Sequence, residues 1–257
     1  MAVTIKTGNE IALMRRANEI VAEALNLLAS KVAVGVSTKE LDALAEEWAK
    51  KNGALPAFKG YRGYPASLCV SINEQVVHGI PSKKVVIRDG DIVSIDFGVN
   101  FRGFFGDAAL SVLAGKAAAD SAKVKLLTVT RDALFAGIEQ ARGGNRVSDI
   151  SEAVQAVVES NHLHVVKQFV GHGIGASLHE APEVPNYKRP GRSQRLLPGM
   201  VLAIEPMVNA GTYELRCDQD RWTMRTADGR RSAHFEHTVA ITKEQPRILT
   251  SIEGQKA

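Results

Sequence analysis

The first fifty residues have apolar positions at the spacing of two α-helices. In the first helix, the apolar residues that recur every three or four positions are Ile11, Met14, Val21, Leu25 and Leu28. Thr7 and Glu10 have the spacing of a capping box, so we expect this helix to begin after Thr7. Ser37 and Glu40 repeat that spacing before a second stripe, and Gly53 should end the second helix. That stripe consists of Leu41, Leu44 and Trp48.

The same order of elements returns in the second half. Helical periodicity covers residues 119–140, through Val124, Leu127, Leu134 and Ile138. Another helix should open at Val147 to Asp149, with Asp149 and Glu152 at capping-box spacing. Ser148 follows Ser37 at an interval of about 110 positions, and we interpret the chain as a diverged internal duplication. Two unrelated helix pairs are the alternative.

Strands are predicted after each helix pair. Residues 67–72 alternate in part, as a half-buried strand does. Further strands are predicted at 91–97, 104–113, 165–170, 199–206 and 235–242. No low-complexity linker separates the halves. We therefore predict one α+β domain over residues 1–257, with pseudo-symmetric halves at about 1–115 and 116–257, antiparallel strands inside and helices outside.

Composition narrows the class of protein. Hydrophobic residues make up 45% and charged residues 23%, which are ordinary globular values. Cys69 and Cys217 are too few for a disulfide scaffold or a four-cysteine zinc site. The N-terminal stretch has no signal-peptide core, and no run approaches the ~18 apolar residues of a membrane span, so we expect a cytoplasmic protein. A net charge of +4 with scattered basic residues and 5% aromatic residues argues against specific nucleic-acid binding.

Three acids stand where a buried strand should be apolar. Asp96 interrupts an apolar run, Glu205 follows Val-Leu-Ala-Ile, and Glu236 precedes Thr-Val-Ala-Ile by one residue. An ionised carboxylate in such a setting costs several kcal/mol unless something compensates it. These acids are therefore candidates for a functional site.

The spacing of Asp96 and Asp107 suggests that a bound cation compensates the cost of these buried carboxylates. If 91–97 and 104–113 form an antiparallel hairpin whose turn is centred between Phe101 and Arg102, the two aspartates face each other directly. Like charges at that distance repel unless a cation lies between them, and oxygen ligands suit hard or borderline divalent ions. The alternative is a pair of exposed acids at a hairpin rim, which fits Asp107 but not Asp96.

Three of the seven histidines lie in distinctive surroundings. His172 lies within the glycine-rich GHGIG, His179 within LHE and His78 within VVHGIP. A lone histidine is more often a satisfied polar residue than a ligand. We interpret four histidines that way: His162, His164, His234 and His237. The chain contains no HExxH zinc motif, no GxSxG elbow and no Walker loop.

With these residues in view, the sequence resembles the type I methionine aminopeptidases. Five blocks carry the resemblance: VHGIP (77–81), DIVSIDFGVNFRGFFGDAA (91–109), GHGIGASLHEAPEVPNY (171–187), LLPGMVLAIEPMVNAG (196–211) and FEHTVAIT (235–242). They keep the order of the family and extend over nearly the whole chain. The resemblance implies a single catalytic metallopeptidase domain with the pita-bread fold, in which two pseudo-symmetric halves enclose a dinuclear metal centre.

The resemblance also implies a ligand set for two divalent metal ions, which could be Co, Mn, Fe or Zn. The implied ligands are Asp96, Asp107, His172, Glu205 and Glu236. Asp107 and Glu236 would bridge the ions, Asp96 would hold one, and His172 and Glu205 would hold the other. Four carboxylates would balance two divalent ions without a lysine or an arginine.

Catalytic roles are implied for His78, His179 and Glu205. The two histidines would hydrogen-bond the substrate carbonyl or nitrogen, and Glu205 would carry a proton to the leaving amine. The residues that align with the methionine pocket are Tyr61, Cys69 and Trp222. The pocket departs from bacterial members of the family at Phe58, Val77 and Leu178, so the resemblance defines its selectivity less well than the chemistry.

The implied activity is removal of the N-terminal initiator methionine from nascent proteins and peptides with a small second residue, by water that the metals activate. The partners would be nascent polypeptide N-termini and the ribosome, without specific nucleic acid or membrane, and we expect a monomer. One alternative is an Xaa-Pro aminopeptidase or dipeptidase of the same fold, whose usual extra domain has no room in 257 residues. The other is a non-catalytic binding relative, which we would expect to have lost ligands.

Overall fold

Four helices and fifteen short or medium strands make up the described part of the chain. The computed structural model describes residues 3–115 and 120–251. The helices are α1 (Gly8–Lys31), α2 (Thr38–Lys51), α3 (Ser121–Gln140) and α4 (Val147–Ser160). The strands are β1 (Leu55–Pro56), β2 (Cys69–Ile72), β3 (Gln75–Val77), β4 (Ile92–Phe101), β5 (Phe104–Leu113), β6 (His164–Val165), β7 (Gly171–Gly173), β8 (Glu180–Val184), β9 (Val201–Ile204), β10 (Met207–Asn209), β11 (Leu215–Cys217), β12 (Met224–Thr226), β13 (Ser232–His234), β14 (His237–Ala240) and β15 (Arg247–Ile248). In the two described ranges, no helix combines the length and the apolar character that crossing a membrane requires.

Capping boxes begin the first two helices, as predicted. The Thr7 side chain accepts a hydrogen bond from the backbone N–H of Glu10, whose carboxylate accepts one from the N–H of Thr7. Ser37 and Glu40 make the same reciprocal pair at α2. The chain leaves α2 through Gly53 in the left-handed region, with φ of 68°. Local sequence therefore sets the bounds of these helices.

The buried face of α3 differs from the predicted one. Position 119, the predicted first residue, lies outside the described residues. Val124, which we assigned to the buried stripe, is 43% exposed. Lys123 is buried instead, and its ammonium donates to the carbonyl of Gly90 at 2.6 Å. This hydrogen bond satisfies the buried ammonium group, and the neighbouring valine faces solvent.

The start of α4 also differs from the prediction in detail. Asp149 is not the N-cap but the third residue of the helix. Its carboxylate accepts a hydrogen bond from the backbone N–H of Arg146, which is the N-cap. The helix still begins at Val147, where the sequence placed it, because an acid at the third position satisfies a free N–H as well as a capping acid does.

Antiparallel pairing connects all the strands, as predicted for an α+β fold. In the first half, β4 pairs with β5 along one edge and with β2 and β1 along the other. In the second half, a five-stranded sheet has the order β15-β14-β9-β7-β8. Two three-stranded sheets, β13-β10-β6 and β11-β12-β3, complete the interior. The helices pack their apolar faces on these strands, α1 on β4 and β5, and α3 on β9, β10 and β13.

The predicted strand at 165–170 was too long. Only His164 and Val165 belong to β6. The residues that follow leave the sheet, and Gln168, Phe169 and Val170 line a cavity. Apolar residues at this point therefore form a cavity wall instead of continuing a strand.

The two halves meet along a seam formed by the backbones of β5 and the segment before β14. Ala109 and Glu236 make an isolated antiparallel bridge, in which the N–H of Glu236 donates to the carbonyl of Ala109 at 2.9 Å. The Thr238 hydroxyl donates to the carbonyl of Asp107 at 2.7 Å, and both residues are buried. This seam fixes the position of acids from one half against acids from the other.

Candidate metal centre

The β4–β5 hairpin places Asp96 and Asp107 on one face, but the predicted pairing was wrong. Asp96 faces Ala109 and Asp107 faces Gly98, so the two acids are diagonal neighbours. The turn is the pair Arg102–Gly103, with φ of 52° and 86°, which centres the hairpin one residue later than predicted. Pairing shifts by two positions, and because side chains alternate with period two, both acids stay on the same face.

The five-stranded sheet supplies an imidazole and two more acids. Glu205 directly follows β9 and Glu236 directly precedes β14, and the antiparallel pairing of these strands places the two acids side by side. On the other edge of β9, β7 carries His172. The His172 Nε2 lies 3.5 Å from Oε1 of Glu205. More than thirty residues, including β8 and β9, separate these two in sequence, and strand pairing brings them together.

The acids and His172 converge on one place in the structure, and several of their buried oxygen atoms have no hydrogen-bond partner among the described residues. Asp107, His172 and Glu236 each offer a ligand atom, and the three atoms lie within 4.8 Å of one another. The buried atoms Asp96 Oδ1, Asp107 Oδ1 and Glu236 Oε1 have no hydrogen-bond partner among the described residues. Buried polar atoms almost always have partners, so the absence of any here indicates a cation site.

Burial and mutual repulsion raise the pKa of all four carboxyl groups. Burial raises the pKa of Asp96 to about 7. Burial, with repulsion from neighbouring acids, holds the pKa of Asp107, Glu205 and Glu236 well above the usual range. Among the described residues that line this cavity, Arg62 is the one lysine or arginine. Within the described ranges, the ion-pair contacts of these acids are those of Glu205 with His172 and His234, and none joins an acid to Arg62 or to a lysine. A divalent metal would supply the missing positive charge.

His172 is set up as a neutral ligand. Its Nδ1 lies 2.9 Å from the carbonyl oxygen of Gly173. A carbonyl only accepts, so Nδ1 carries the hydrogen and Nε2 presents its lone pair to the acids. Burial lowers the pKa of His172 to about 4, so the ring is neutral at physiological pH. A neutral imidazole among carboxylates is a donor set that suits Mn, Fe, Co and Zn.

His78 and His179 face the same cavity. The ring of His179 lies 4.2 Å from that of His172, and its Nδ1 lies 2.9 Å from the Tyr61 hydroxyl. His78 packs edge-on against Phe169, with ring centres 5.2 Å apart. Burial lowers the pKa of His78 to about 4. Two neutral rings thus border the cluster of acids on its open side.

The cavity beside the acids has a volume of about 300 Å³ and a largely apolar wall. Tyr61, Cys69 and Trp222, which the resemblance assigned to the methionine pocket, all line it. Other residues in this wall are Phe58, Tyr64, Val77 and Leu178. Cys69 pairs with Asp96 across β2 and β4, so the apolar wall is directly continuous with the acids.

Sequence reasoning missed His234. We expected a satisfied polar residue, yet its Nε2 is buried, lines the cavity and has no partner among the described residues. That atom lies 3.9 Å from Oε2 of Glu205. One signal was available: His234 precedes Glu236 by two positions, the spacing that places side chains on one face of an extended chain.

The other three histidines match the interpretation as ordinary polar residues. His162 and His164 are exposed. His237 has its Nδ1 2.7 Å from the Thr250 hydroxyl, on the side of β14 opposite Glu236.

The chain matches a known family over most of its length. The model of "Metallopeptidase family M24" matches residues 12–243. A methionine aminopeptidase of Clostridium perfringens is 52% identical over 251 residues, which are 98% of this chain and 100% of the relative. Methionine aminopeptidase 1 of Bacillus subtilis is 48% identical over 250 residues, 97% of this chain and 100% of the relative.

Solved structures give the same result. A methionine aminopeptidase from Thermotoga maritima superposes with a TM-score of 0.95 at 43% identity, covering 98% of this chain and 100% of that one. A prolidase from Pyrococcus furiosus superposes with a TM-score of 0.77 at 23% identity, covering 97% of this chain and 66% of that one. The prolidase shares the fold, which is the predicted pita-bread architecture.

Proposed function

The chain belongs to metallopeptidase family M24 and has methionine aminopeptidase activity, and we propose that Asp96, Asp107, His172, Glu205 and Glu236 hold two divalent cations for this hydrolysis. The observation that carries the proposal is the convergence of four acids and one neutral imidazole from both halves on one cavity. Asp107 and Glu236 lie at the seam, where ligands shared by two cations would be needed. Asp96 belongs to one half, and His172 with Glu205 to the other.

When bound, such cations act as Lewis acids that polarise a carbonyl and lower the pKa of water toward 7. The residues around them handle the protons. Glu205 takes the proton of the nucleophilic water and delivers it to the leaving amine. We propose that the Tyr61 hydroxyl, 2.9 Å from Nδ1 of His179, donates to that nitrogen, which leaves an Nε2–H on His179 to donate to the substrate carbonyl as negative charge develops there. His78 orients the substrate from the other side.

The apolar wall accounts for the choice of methionine. The rings of Phe58, Tyr64 and Trp222, with Cys69, offer aromatic edges and small apolar surface to an unbranched thioether. Tyr61 and His179 stack with centroids 5.3 Å apart at the border of this pocket. We propose that this stacked pair restricts the space beside the scissile bond, so that substrates need a small second residue.

The substrates would be the N-termini of nascent polypeptides, from which the initiator methionine is removed. We propose that the protein acts as a monomer in the cytoplasm, on chains that are leaving the ribosome. Specific nucleic-acid recognition is not part of this function, since the basic residues are scattered along the sequence.

Removal of the cations tests the proposal. Dialysis against a chelator should abolish hydrolysis of a Met-Ala-Ser peptide, and added Mn²⁺ should restore it. An Ala-Pro peptide, which lacks the N-terminal methionine, should be a poor substrate, whereas an Xaa-Pro enzyme would cleave it and would leave Met-Ala-Ser intact. Full turnover of Met-Ala-Ser after chelation would refute the role of the metal.

Glu205→Gln tests the proton transfer. The amide keeps the size of the side chain but cannot take a proton, so kcat should fall by at least about a hundredfold. Glu159→Gln, on the exposed face of α4, is the matched control and should keep normal turnover. A Glu205→Gln variant with unchanged kcat would contradict the mechanism.

A further inference from the structure

His234 lines the catalytic cavity, but the proposed mechanism gives it no role. Its side chain is 2% exposed, although the residue lies at the end of β13 beside a water-accessible cavity. Nε2 has no partner among the described residues. A buried ring nitrogen without a partner costs free energy, so a group that needs this nitrogen should lie within reach.

The position of this ring is fixed from the other half of the molecule. The backbone N–H of His234 donates to the Ser111 hydroxyl oxygen at 2.9 Å, and the Ser111 hydroxyl donates to the backbone carbonyl of His234 at 2.8 Å. Ser111 has a single hydroxyl hydrogen, so the Ser94 hydroxyl, 2.7 Å away, donates to it in turn. Both serines are buried. The backbone of His234 therefore has little freedom, which keeps the residue beside the cavity.

The group within reach is Glu205. Its two oxygens face different rings: Oε1 lies 3.5 Å from Nε2 of His172, and Oε2 lies 3.9 Å from Nε2 of His234. One oxygen of the Glu205 carboxylate thus faces His172, a proposed metal ligand, and the other faces His234, which is not a proposed ligand. An N–H on His234 would attract Oε2, whereas a lone pair there would repel it.

We propose that His234 is a positioning residue, whose Nε2–H donates to Oε2 of Glu205 and so leaves Oε1 free for a cation. The inference rests on the proposed function. The separation of 3.9 Å exceeds a direct hydrogen bond by less than about 1 Å. A small rotation of the Glu205 side chain or one bridging water closes the gap.

The geometry favours positioning over ligation. His234 is outside the group of Asp107, His172 and Glu236, whose ligand atoms lie within 4.8 Å of one another, but so are the proposed ligands Asp96 and Glu205. What favours positioning is the approach of Nε2 to a single ligand oxygen, Oε2 of Glu205, at 3.9 Å in the part of the chain that the structure describes. A group of this kind tunes a ligand by orienting it and typically changes affinity or activity by about 10–100-fold when lost.

Three variants test the proposal in the full-length protein. His234→Ala removes the donor, His234→Gln restores an N–H donor of similar reach, and His164→Ala changes an exposed histidine as the matched control. For each, kcat and KM are measured with a Met-Ala-Ser peptide. Mn²⁺ affinity is measured by calorimetry, and the melting temperature is measured without metal.

His234→Ala should lower kcat by at least about tenfold and Mn²⁺ affinity by a similar factor, with KM little changed, and His234→Gln should recover most of both. Unchanged kcat and affinity in His234→Ala would overturn the proposal. So would equal loss in both His234 variants, since that indicates a ligand, and so would loss of activity that only follows a lowered melting temperature. If the wild-type protein binds no Mn²⁺, the proposed function itself fails, and the inference fails with it.

Discussion

A single hydroxyl group orients His179. The Tyr61 hydroxyl lies 2.9 Å from Nδ1 of that ring, and the two rings also stack. Imidazole has two tautomers, and a donor at Nδ1 selects the one that carries hydrogen on Nε2. In the proposed mechanism, Tyr61 would therefore act on the reaction through His179 and not only as part of the pocket wall.

Tyr61→Phe should lower kcat by about tenfold, less than the loss of an oxyanion donor itself, because the ring of His179 remains but its tautomer is no longer selected. KM should change little, since the phenyl ring still fills its place. Steady-state kinetics with a Met-Ala-Ser peptide give both values. Tyr213→Phe, at a residue that is 44% exposed, is the control. A kcat within twofold of wild type would show that the hydroxyl has no such role.

The residues of the site were predictable to different degrees. Asp96, Glu205 and Glu236 are visible in the sequence because a carboxylate in an apolar strand is costly, and the structure places all three at the cavity. His234 was not identified, because its spacing of two positions from Glu236 does not show that Nε2 lacks a partner. That information exists only in the folded protein, where Nε2 is buried beside the cavity.

At the scale of elements, the register of one hairpin decides how much space Asp107 has. Gly98 faces Asp107 across β4 and β5. A Cβ added at Gly98 would lie 2.9 Å from Cε1 of Phe58 and 3.1 Å from Oδ1 of Asp107. Those separations are closer than normal contacts, so the missing side chain at Gly98 is what leaves the Asp107 carboxylate in place.

Gly98→Ala should therefore weaken Mn²⁺ affinity by about tenfold, since it displaces a proposed ligand. Overpacking should also lower the free energy of unfolding by about 1–3 kcal/mol. Calorimetric titration and urea unfolding measure the two effects. Gly8→Ala is the control, because an added Cβ there meets nothing within 4 Å. Wild-type affinity in Gly98→Ala would show that Asp107 does not hold the cation.

The elements themselves were largely predictable, and the errors have physical causes. The helix starts followed from capping residues, which act within one turn. The pairing of β4 and β5 was misjudged because Arg102 adopts a left-handed conformation that is unusual for a residue with a side chain. The segment 166–170 was misjudged because Phe169 packs on His78 and not within a sheet. The local sequence gives no sign of the Arg102 conformation or of the packing between Phe169 and His78.

At the scale of the whole molecule, two halves contribute acids to one centre, and the folded state must neutralise them. Without a cation, burial raises the pKa of Asp96 to about 7. The folded protein then holds a proton that the unfolded chain has lost above a pH of about 4. Such a group destabilises the fold progressively as the pH rises through that interval, and the penalty is complete above about pH 7.

Asp96→Asn should remove this dependence. In the metal-free state the variant should become more stable than wild type as the pH rises from 5 to 8, by on the order of 2 kcal/mol. With Mn²⁺ present the order should reverse, because the wild-type carboxylate is then a ligand. Urea unfolding at several pH values, with and without Mn²⁺, measures both differences. A constant difference between the two proteins at all pH values would contradict the assignment of Asp96.

Anomalous diffraction from crystals grown with Mn²⁺ measures the centre most directly. Two anomalous peaks are expected within bonding distance of Asp96, Asp107, His172, Glu205 and Glu236, with Asp107 and Glu236 next to both. Data collected at the manganese edge with no peak among these five side chains, at a cation concentration that supports turnover, would contradict this assignment.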